Sequence, residues 1–298
     1  MKDELVRGTA WNGGIRLFAA RTTRLVSELQ KRHDTYPTAT AALGRAATAG
    51  AMMGVMLKND GKLTIQVKGD GPLGQIVVDA NTRAEVRGYV DHPHAHLPSN
   101  SLGKLDVAGV VGRSGYLNVI KDLGLKEPYR GSVPIVSGEL GEDFTYYFAE
   151  SEQIPSAVGL GVLVDTDNSV LHAGGWIAQV LPGLPEEQLQ KLEAAVGSMP
   201  HITVLLDRGE TPESILRLLT GGDLTIHETV EPVFRCQCSR ERVERTLITL
   251  GPDELRSLID EDGKADVVCH FCNETYAFTA DELEGLFRRA SEGFGKGE

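Results

Sequence analysis

The chain has 298 residues, of which 41% are hydrophobic and 24% charged, a composition typical of globular proteins and long enough for two domains. Its longest run of small and apolar residues, Ala49 to Leu57, is too short to cross a bilayer, which takes about 20 residues. No apolar secretory signal follows Met1, so we expect a cytoplasmic chain with reduced cysteines and no membrane partner.

The formal net charge of −12 is unevenly distributed. Residues 1–180 carry 18 basic and 19 acidic side chains, residues 181–231 carry 3 and 9, and residues 232–298 carry 9 and 14. A domain that binds nucleic-acid phosphates normally has an excess of basic side chains. The acidic balance of residues 232–298, which carry the cysteines, therefore argues against a nucleic-acid partner.

The first 180 residues begin with two strand patterns joined by the turn signal Asn12-Gly13-Gly14 and a helix ending near His33. A second helix is predicted from Pro37 to about Leu57. Its closely spaced small residues favour a buried central position, because they let other backbones approach. Further strand patterns cover Leu63–Val67, Ile76–Ala80, Val86–Val90, Tyr116–Lys121, Val133–Val136, Phe144–Ala149, Leu160–Asp165 and Val170–Leu181. The expected fold class is α+β, with residues 1–180 forming a mixed α/β core domain of antiparallel sheet around a central helix.

Two residue groups in this domain have alternative interpretations. Met52, Met53 and Met56 can form an adaptable client surface, but methionines on a helix are more often core residues. His92, His94 and His96 can present imidazoles to a metal from one face of an extended segment. The nearby prolines favour an exposed loop instead.

Residues 181–231 have the composition of a marginally stable helical linker. Prolines punctuate short helical patterns, one opened by Pro185 and another by the capping sequence Thr211-Pro212-Glu213. Isolated helices shorter than about 12 to 15 residues are marginal in water. The excess of acidic side chains weakens this segment further, so we expect it to fold only against a neighbour.

Residues 232–298 are predicted to form a small domain of helices and short strands. Ser239 caps one helix, Gly251-Pro252 begins another, and Thr279 with Glu282 forms a capping box for the last. Short strand patterns lie at Val267–Val268 and Tyr276–Phe278.

All four cysteines lie in this last segment, as Cys236-Gln237-Cys238 and Cys269-His270-Phe271-Cys272. Two closely spaced thiolate pairs supply the four soft ligands of a closed tetrahedral zinc site, so we expect one Zn²⁺ per chain. Such a site has no open position for a substrate, which argues against an enzyme. Three interpretations remain: a purely structural zinc ribbon that binds a partner constitutively, a redox sensor, and a dithiol oxidoreductase. The oxidoreductase is disfavoured because no βαβ pattern surrounds either pair.

Metal loss from this segment would act as a conformational switch. A region of about 65 residues buries little apolar surface, whereas structural zinc provides roughly 10 to 16 kcal/mol in small peptides. Oxidation of the thiolates would remove the ligands, unfold this domain and then the linker, and expose apolar faces. Arg235, Arg240 and Arg242 near the first pair should favour the thiolate form, and nearby glutamates oppose them.

The chain resembles the 33-kilodalton heat-shock protein family, the redox-regulated holdase chaperones of the bacterial cytoplasm. The resemblance is carried by the CxC pair, a spacer near 30 residues and the CxxC pair. It extends over the whole chain through Gly69–Gly74, Val86–Tyr89, Ala173–Trp176 and Leu181–Gly183.

This resemblance implies an ATP-independent chaperone that is inactive when reduced and zinc-bound. It implies that Cys236 pairs with Cys238, and Cys269 with Cys272, on oxidation; the sequence alone leaves three pairings open. It also implies zinc release, linker unfolding, a homodimer on activation, binding of unfolding client proteins, and their transfer to ATP-dependent chaperones. The expected organisation is a core domain at 1–180, a metastable linker at 181–231 and a sensor domain at 232–298.

Overall fold

The computed structural model describes residues 2–100 and 103–294. Met1 and residues 295–298, which belong to the predicted end domains, lie outside the described residues. Contacts divide the chain into two compact units, Met1–Arg235 and Cys236–Glu298. The three-segment organisation expected from the sequence stays a prediction. No helix in the described part of the chain is long and apolar enough to cross a membrane.

The first unit contains two β-sheets, whose strands pair mostly antiparallel. Its strands are β1 (Glu4–Ala10), β2 (Ile15–Arg21), β3 (Lys62–Lys68), β4 (Gln75–Asn81), β5 (Glu85–Val90), β6 (Tyr116–Asp122), β7 (Tyr129–Pro134), β8 (Ser156–Val164), β9 (Val170–Val180), β10 (Thr225–Val230) and β11 (Val233–Phe234). Its helices are α1 (Thr23–His33), α2 (Pro37–Gly54), α3 (Val107–Val111), α4 (Gly141–Glu150), α5 (Glu186–Ser198), α6 (Ile202–Asp207) and α7 (Pro212–Thr220).

Helix α2 lies at the centre of the first unit, as its small residues predicted. One sheet has the strand order β10-β1-β2-β9-β8 and the other β11-β5-β4-β3-β6-β7. A β-carbon on Gly44 would lie 2.8 Å from Val162 of β8, and one on Gly50 would lie 2.8 Å from Val78 of β4. Since β-carbons do not approach other atoms so closely, glycine at these positions lets α2 pack against both sheets.

The segment after residue 180 covers the outer face of the five-stranded sheet. Along β2, Phe18 belongs to the main core, whereas Leu17 and Ala19 contact the other side. That outer cluster joins sheet residues to the buried side chains of α5, α6 and α7: Leu192, Ile202, Leu205, Leu206, Ile215, Leu216 and Leu219. The segment also forms β10, an edge strand that the sequence analysis did not predict.

The prediction of a strand at Phe144–Ala149 is wrong, because this stretch lies in helix α4. Its aromatic residues favour strands when considered alone. In the structure the buried residues Asp143, Phe144, Tyr147 and Phe148 fall on one helical face. The Asp143 carboxylate accepts backbone N–H groups of Val136 (2.8 Å), Ser137 (3.0 Å) and Leu140 (2.9 Å) and so fixes the start of the helix.

The second unit has a small core. It contains α8 (Arg240–Thr249), α9 (Pro252–Glu261), the hairpin of β12 (Lys264–Val268) and β13 (Thr275–Thr279), and α10 (Ala280–Phe294). The buried residues of its core are Leu247, Leu255, Phe278, Leu283, Leu286 and Ala290. The predicted caps are confirmed: Ser239 accepts from the backbone of Arg242, and Thr279 and Glu282 bond each other reciprocally.

We expect Asp143→Ala to lower the free energy of unfolding of the chain by about 2 to 4 kcal/mol, since three backbone donors would lose a buried charged acceptor. Urea unfolding followed by tryptophan fluorescence measures this change. Glu142→Ala, at the exposed neighbouring position, is the control and should shift stability by less than about 0.5 kcal/mol. Equal effects of the two substitutions would contradict the assigned role of Asp143.

Candidate metal and redox site

The four cysteines that the sequence singled out lie together within the second unit. The sulfur atoms of Cys236, Cys238, Cys269 and Cys272 all lie within 4.8 Å of one another. The distance from Cys236 Sγ to Cys269 Sγ is 3.8 Å, and that from Cys238 Sγ to Cys272 Sγ is 3.3 Å. None of these four described cysteines forms a disulfide in the structure.

A tight turn presents the second pair. The backbone N–H groups of Cys272 and Asn273 both bond the carbonyl of Cys269, at 3.2 and 2.8 Å. Asn273 has a φ of 57°, a left-handed conformation that asparagine tolerates better than most residues. The Cys269 N–H bonds the Glu274 carbonyl at 2.9 Å. This turn directs both sulfurs of the CxxC sequence to one side, where strands β12 and β13 support it.

Tyr276 is a member of the site that the sequence analysis placed in a strand but did not recognise. Its hydroxyl donates to Cys238 Sγ at 3.2 Å, and this contact raises the pKa of the phenol. The position follows from strand β13, which carries Tyr276 on the face opposite the exposed Thr275 and Ala277. A tyrosine four residues after the second cysteine of the CxxC pair was the available sequence signal.

The electrostatics of the cluster disfavour four thiolates without a counter-ion. Burial is the largest effect raising the pKa values of Cys269 and Cys272. The three other sulfurs raise the pKa of Cys272 further, whereas for Cys269 the sulfur of Cys236 raises the pKa and that of Cys272 lowers it. Backbone hydrogen bonds from Phe271 and Glu274 act in the opposite direction. Close sulfurs that must all ionise therefore require a cation between them.

The sequence analysis expects Arg240 to favour the thiolate form of the first cysteine pair, but in the structure its guanidinium bonds other groups. Its guanidinium donates to the Ala277 carbonyl at 3.0 Å and to Glu282 at 2.7 Å, and it lies 4.2 Å from the centroid of the Phe278 ring. The side chain therefore joins α8 to β13 and α10, and its charge is matched by Glu282.

The donor set fits zinc. A tetrahedral site with Zn–S bonds of about 2.3 Å has sulfur–sulfur edges of about 3.8 Å, close to the measured separations of 3.3 and 3.8 Å. Four sulfur donors are typical of structural zinc rather than of magnesium or calcium, which prefer oxygen. Cys272 is buried at 5% exposure while the other three are half-buried, so solutes reach the site from solvent.

The other predicted candidates do not form a second ligand cluster. Among the residues that the structure describes, the cysteines are the group of His, Cys, Asp or Glu side chains whose ligand atoms converge. His94 contacts Asp34 at 3.3 Å and His96 contacts Thr38 at 2.9 Å. Met52 and Met53 are buried in the core, as the favoured interpretation predicted.

Tyr276→Phe is expected to weaken metal binding at the four sulfurs by about tenfold, because hydrogen bonds to a ligand typically contribute 10- to 100-fold to metal affinity. Competition with a chromogenic chelator measures the affinity, and the sulfur-to-cobalt absorption of Co²⁺-loaded protein reports the ligand environment. Thr275→Val, which removes an exposed hydroxyl from the same strand, should leave both unchanged. Identical affinities for the two variants would remove Tyr276 from the site.

Comparisons with known proteins agree on one family. A family model described as Hsp33 protein matches residues 3–279. The "33 kDa chaperonin" of Geobacillus sp. (strain WCH70) is 54% identical over 96% of this chain and 97% of its own length. The protein of the same name from Bacillus subtilis (strain 168) is 52% identical over 95% of this chain and 98% of its own.

A solved structure extends this agreement to the fold. The crystal structure of a 33 kDa chaperonin (heat shock protein 33 homolog) from Thermotoga maritima superposes with a TM-score of 0.93 at 38% identity, covering 98% of this chain and 100% of that one. Sequence and fold thus match over nearly the full length, and the chain belongs to the Hsp33 family of chaperones.

Proposed function

We propose that this chaperone is a redox-regulated, ATP-independent holdase of the bacterial cytoplasm. In the reduced state Cys236, Cys238, Cys269 and Cys272 hold one Zn²⁺ and the chaperone is inactive. Oxidation forms the disulfides Cys236–Cys238 and Cys269–Cys272. The linker then unfolds, the chain dimerises, and unfolding clients are held until ATP-dependent chaperones receive them. The observation that carries this proposal is a folded linker covering the apolar face of a sheet, in a chain that also carries the four-sulfur cluster.

The oxidation chemistry requires a two-electron oxidant such as a peroxide. A thiolate attacks one peroxide oxygen, forms a sulfenic acid and releases hydroxide or water. A second thiolate then displaces hydroxide from that sulfur and forms the disulfide. Two peroxide molecules are therefore consumed for two disulfides. Zinc supplies structural cross-linking when bound, and disulfide formation removes all four of its donors.

Loss of those donors should unfold the second unit. The part of its core that the structure describes has six buried residues, and a domain of about 60 residues is marginal without disulfides or metal. The binding free energy of structural zinc, roughly 10 to 16 kcal/mol in peptides, is as large as the stability of a whole domain, about 5 to 15 kcal/mol. The sensor domain proposed at 232–298 therefore depends on its metal.

The linker proposed at 181–231 hides a surface suited to clients. Its helices cover Leu17, Ala19 and Trp176, which form part of the outer apolar face of the five-stranded sheet. The polar contacts that hold it are mostly exposed, such as His172 with Asp207 at 3.1 Å, and exposed pairs contribute little stability. Release of the linker would uncover an apolar surface that binds other exposed apolar segments.

The redox dependence is tested by light scattering of a heat-denatured client. We expect the peroxide-oxidised chain to suppress aggregation and the reduced, zinc-loaded chain to have little effect. Zinc release and the masses of disulfide-linked peptides should change in parallel, with the two disulfides within the CxC and CxxC sequences.

A variant with all four cysteines replaced by serine tests whether client binding depends on the oxidant itself or on unfolding of the second unit. It lacks both metal and oxidisable sulfur, so it should bind clients with or without peroxide. Equal activity of the reduced and oxidised wild-type chains would contradict the switch. Client binding that needs zinc and is lost on oxidation would indicate a constitutive zinc-ribbon module instead.

Leu216→Ala tests whether the linker restrains activity. This leucine is fully buried against the sheet, and its truncation should cost about 2 to 5 kcal/mol within the linker. We expect the reduced variant to be cleaved faster by protease within residues 181–231 and to suppress aggregation partially. Leu218→Ala, in the same helix but at a leucine that is 48% exposed, is the matched control and should behave as wild type. A loosened linker without activity would argue against the covered face as the client surface.

A further inference from the structure

Residues 225–234, which cover the end of the predicted linker at 181–231 and the first residues of the predicted sensor domain at 232–298, form one edge strand of each sheet in the first unit. Strand β10 pairs antiparallel with β1 at one edge of the five-stranded sheet. Strand β11 pairs parallel with β5 at one edge of the six-stranded sheet. The β11 ladder ends with the Arg235 N–H bonded to the Val86 carbonyl at 2.9 Å. Cys236 is the next residue, so the cluster is covalently continuous with both edge strands.

Strand β10 is held mainly through its backbone. Its first five side chains, from Thr225 to Thr229, are exposed and only Val230 is half-buried. The polar side-chain contacts beside the pairing include an exposed hydrogen bond between Thr9 and His227 at 2.7 Å and the exposed ion pair of Lys2 with Glu231 at 3.5 Å, and Val230 packs against the main core. A strand attached by main-chain hydrogen bonds has little dependence on its own sequence, and each exposed bond contributes only about 0.5 to 1.5 kcal/mol.

The pairing also contains an irregularity at Gly8. The register between β1 and β10 shifts between Arg7 and Gly8. A β-carbon on Gly8 would lie 2.8 Å from the Thr225 carbonyl oxygen and 2.9 Å from Leu224 Cδ1. Glycine therefore permits the linker backbone to approach at this point, and the bulge weakens the ladder.

Strand β1 itself does not depend on β10 for its position. It pairs with β2 along its whole length, from Glu4 opposite Arg21 to Ala10 opposite Ile15. Leu5 is part of the main core. Removal of the linker would thus leave an ordered strand with a row of unpaired N–H and C=O groups, which is a template for another strand.

We propose that the uncovered edge of β1 is a docking site for clients, which add an extended segment to the five-stranded sheet in the place of β10. This inference rests on the proposed function, because β10 must leave first. Val6 and Ala10 belong to the apolar face beside this edge, so a segment with apolar side chains on one side gains contacts there. Main-chain pairing supplies affinity for many sequences, as a holdase with varied clients requires.

Hydrogen exchange of the full-length chain, read by mass spectrometry on peptides covering residues 4–10, tests the edge. The probe is a short peptide of alternating Thr and Val with lysines at both ends. We expect the amides of β1 that face β10 to be protected in the reduced protein, to exchange faster after oxidation, and to slow again by about tenfold with the probe, while those that face β2 stay protected. The same peptide with alternate N-methylated amides keeps the side chains but cannot pair, so it should give no renewed protection.

The exchange and aggregation experiments together distinguish failure of edge docking from failure of the proposed holdase function. Full suppression of client aggregation with β1 exchange unaffected by the probe would overturn edge docking and leave the holdase intact. Renewed protection by the N-methylated peptide would also overturn it, because contact would then be through side chains. Failure of the oxidised chain to suppress aggregation would overturn the holdase function and, with it, this inference.

Gly8→Ala gives a second test that needs no oxidant. The added carbon should displace the tethered β10, whose register is fixed by its connections, whereas a free client segment adjusts its register. We expect faster exchange of residues 4–10 in the reduced variant and binding of the probe there. Gly197→Ala, in helix α5 with no heavy atom within 4 Å of the added carbon, is the matched control and should leave exchange unchanged. Faster β1 exchange in Gly8→Ala without probe binding would contradict the proposal.

Discussion

Mutual repulsion among four sulfurs is the constraint on which the proposed behaviour of this chain depends. Their separation of at most 4.8 Å allows all of them to ionise only around a cation, since burial, together with the sulfur of Cys236, raises the thiol pKa values of Cys269 and Cys272. In the described residues, the core of the second unit that surrounds them has six buried residues. A metal bound to the four sulfurs would therefore provide stabilisation that a unit of about 60 residues does not obtain from apolar burial.

The first unit has the opposite balance. Its core extends on both sides of α2 and contains large, fully buried residues such as Phe18, Tyr147 and Phe148. The proposed linker adds an outer layer to this body, joined through one cluster of apolar residues, the ladder between β10 and β1, and mostly exposed polar contacts. Its removal would leave most of the main core in place. A folded platform with one uncovered face and one uncovered edge is consequently the product expected from linker release.

The sequence predicted the parts of this arrangement that depend on local chemistry. The spacing of the cysteines predicted their convergence, and the caps at Ser239, Thr211 and Thr279 predicted helix starts. It failed where hydrogen bonds outside the hydrophobic pattern decide. At α4, the Asp143 carboxylate accepts hydrogen bonds from the backbone N–H groups of Val136, Ser137 and Leu140 and so fixes the start of a helix in an aromatic segment. Strand β10 has no strong strand pattern in its own sequence. It forms because β1, more than 200 residues away in the sequence, supplies its hydrogen bonds.

The choice of disulfide partners decides whether oxidation opens or locks the second unit. The sulfur contacts of 3.8 and 3.3 Å join Cys236 to Cys269 and Cys238 to Cys272, across the two pairs. Disulfides along those contacts would close loops of about 30 residues and stabilise the fold by roughly 3 to 4 kcal/mol. Disulfides within CxC and CxxC close loops of only a few residues and leave the two halves of the cluster unconnected. Pairing within CxC and within CxxC uses all four sulfurs. It would therefore remove a metal cross-link between the start of α8 and the β12–β13 hairpin without forming a covalent bond in its place.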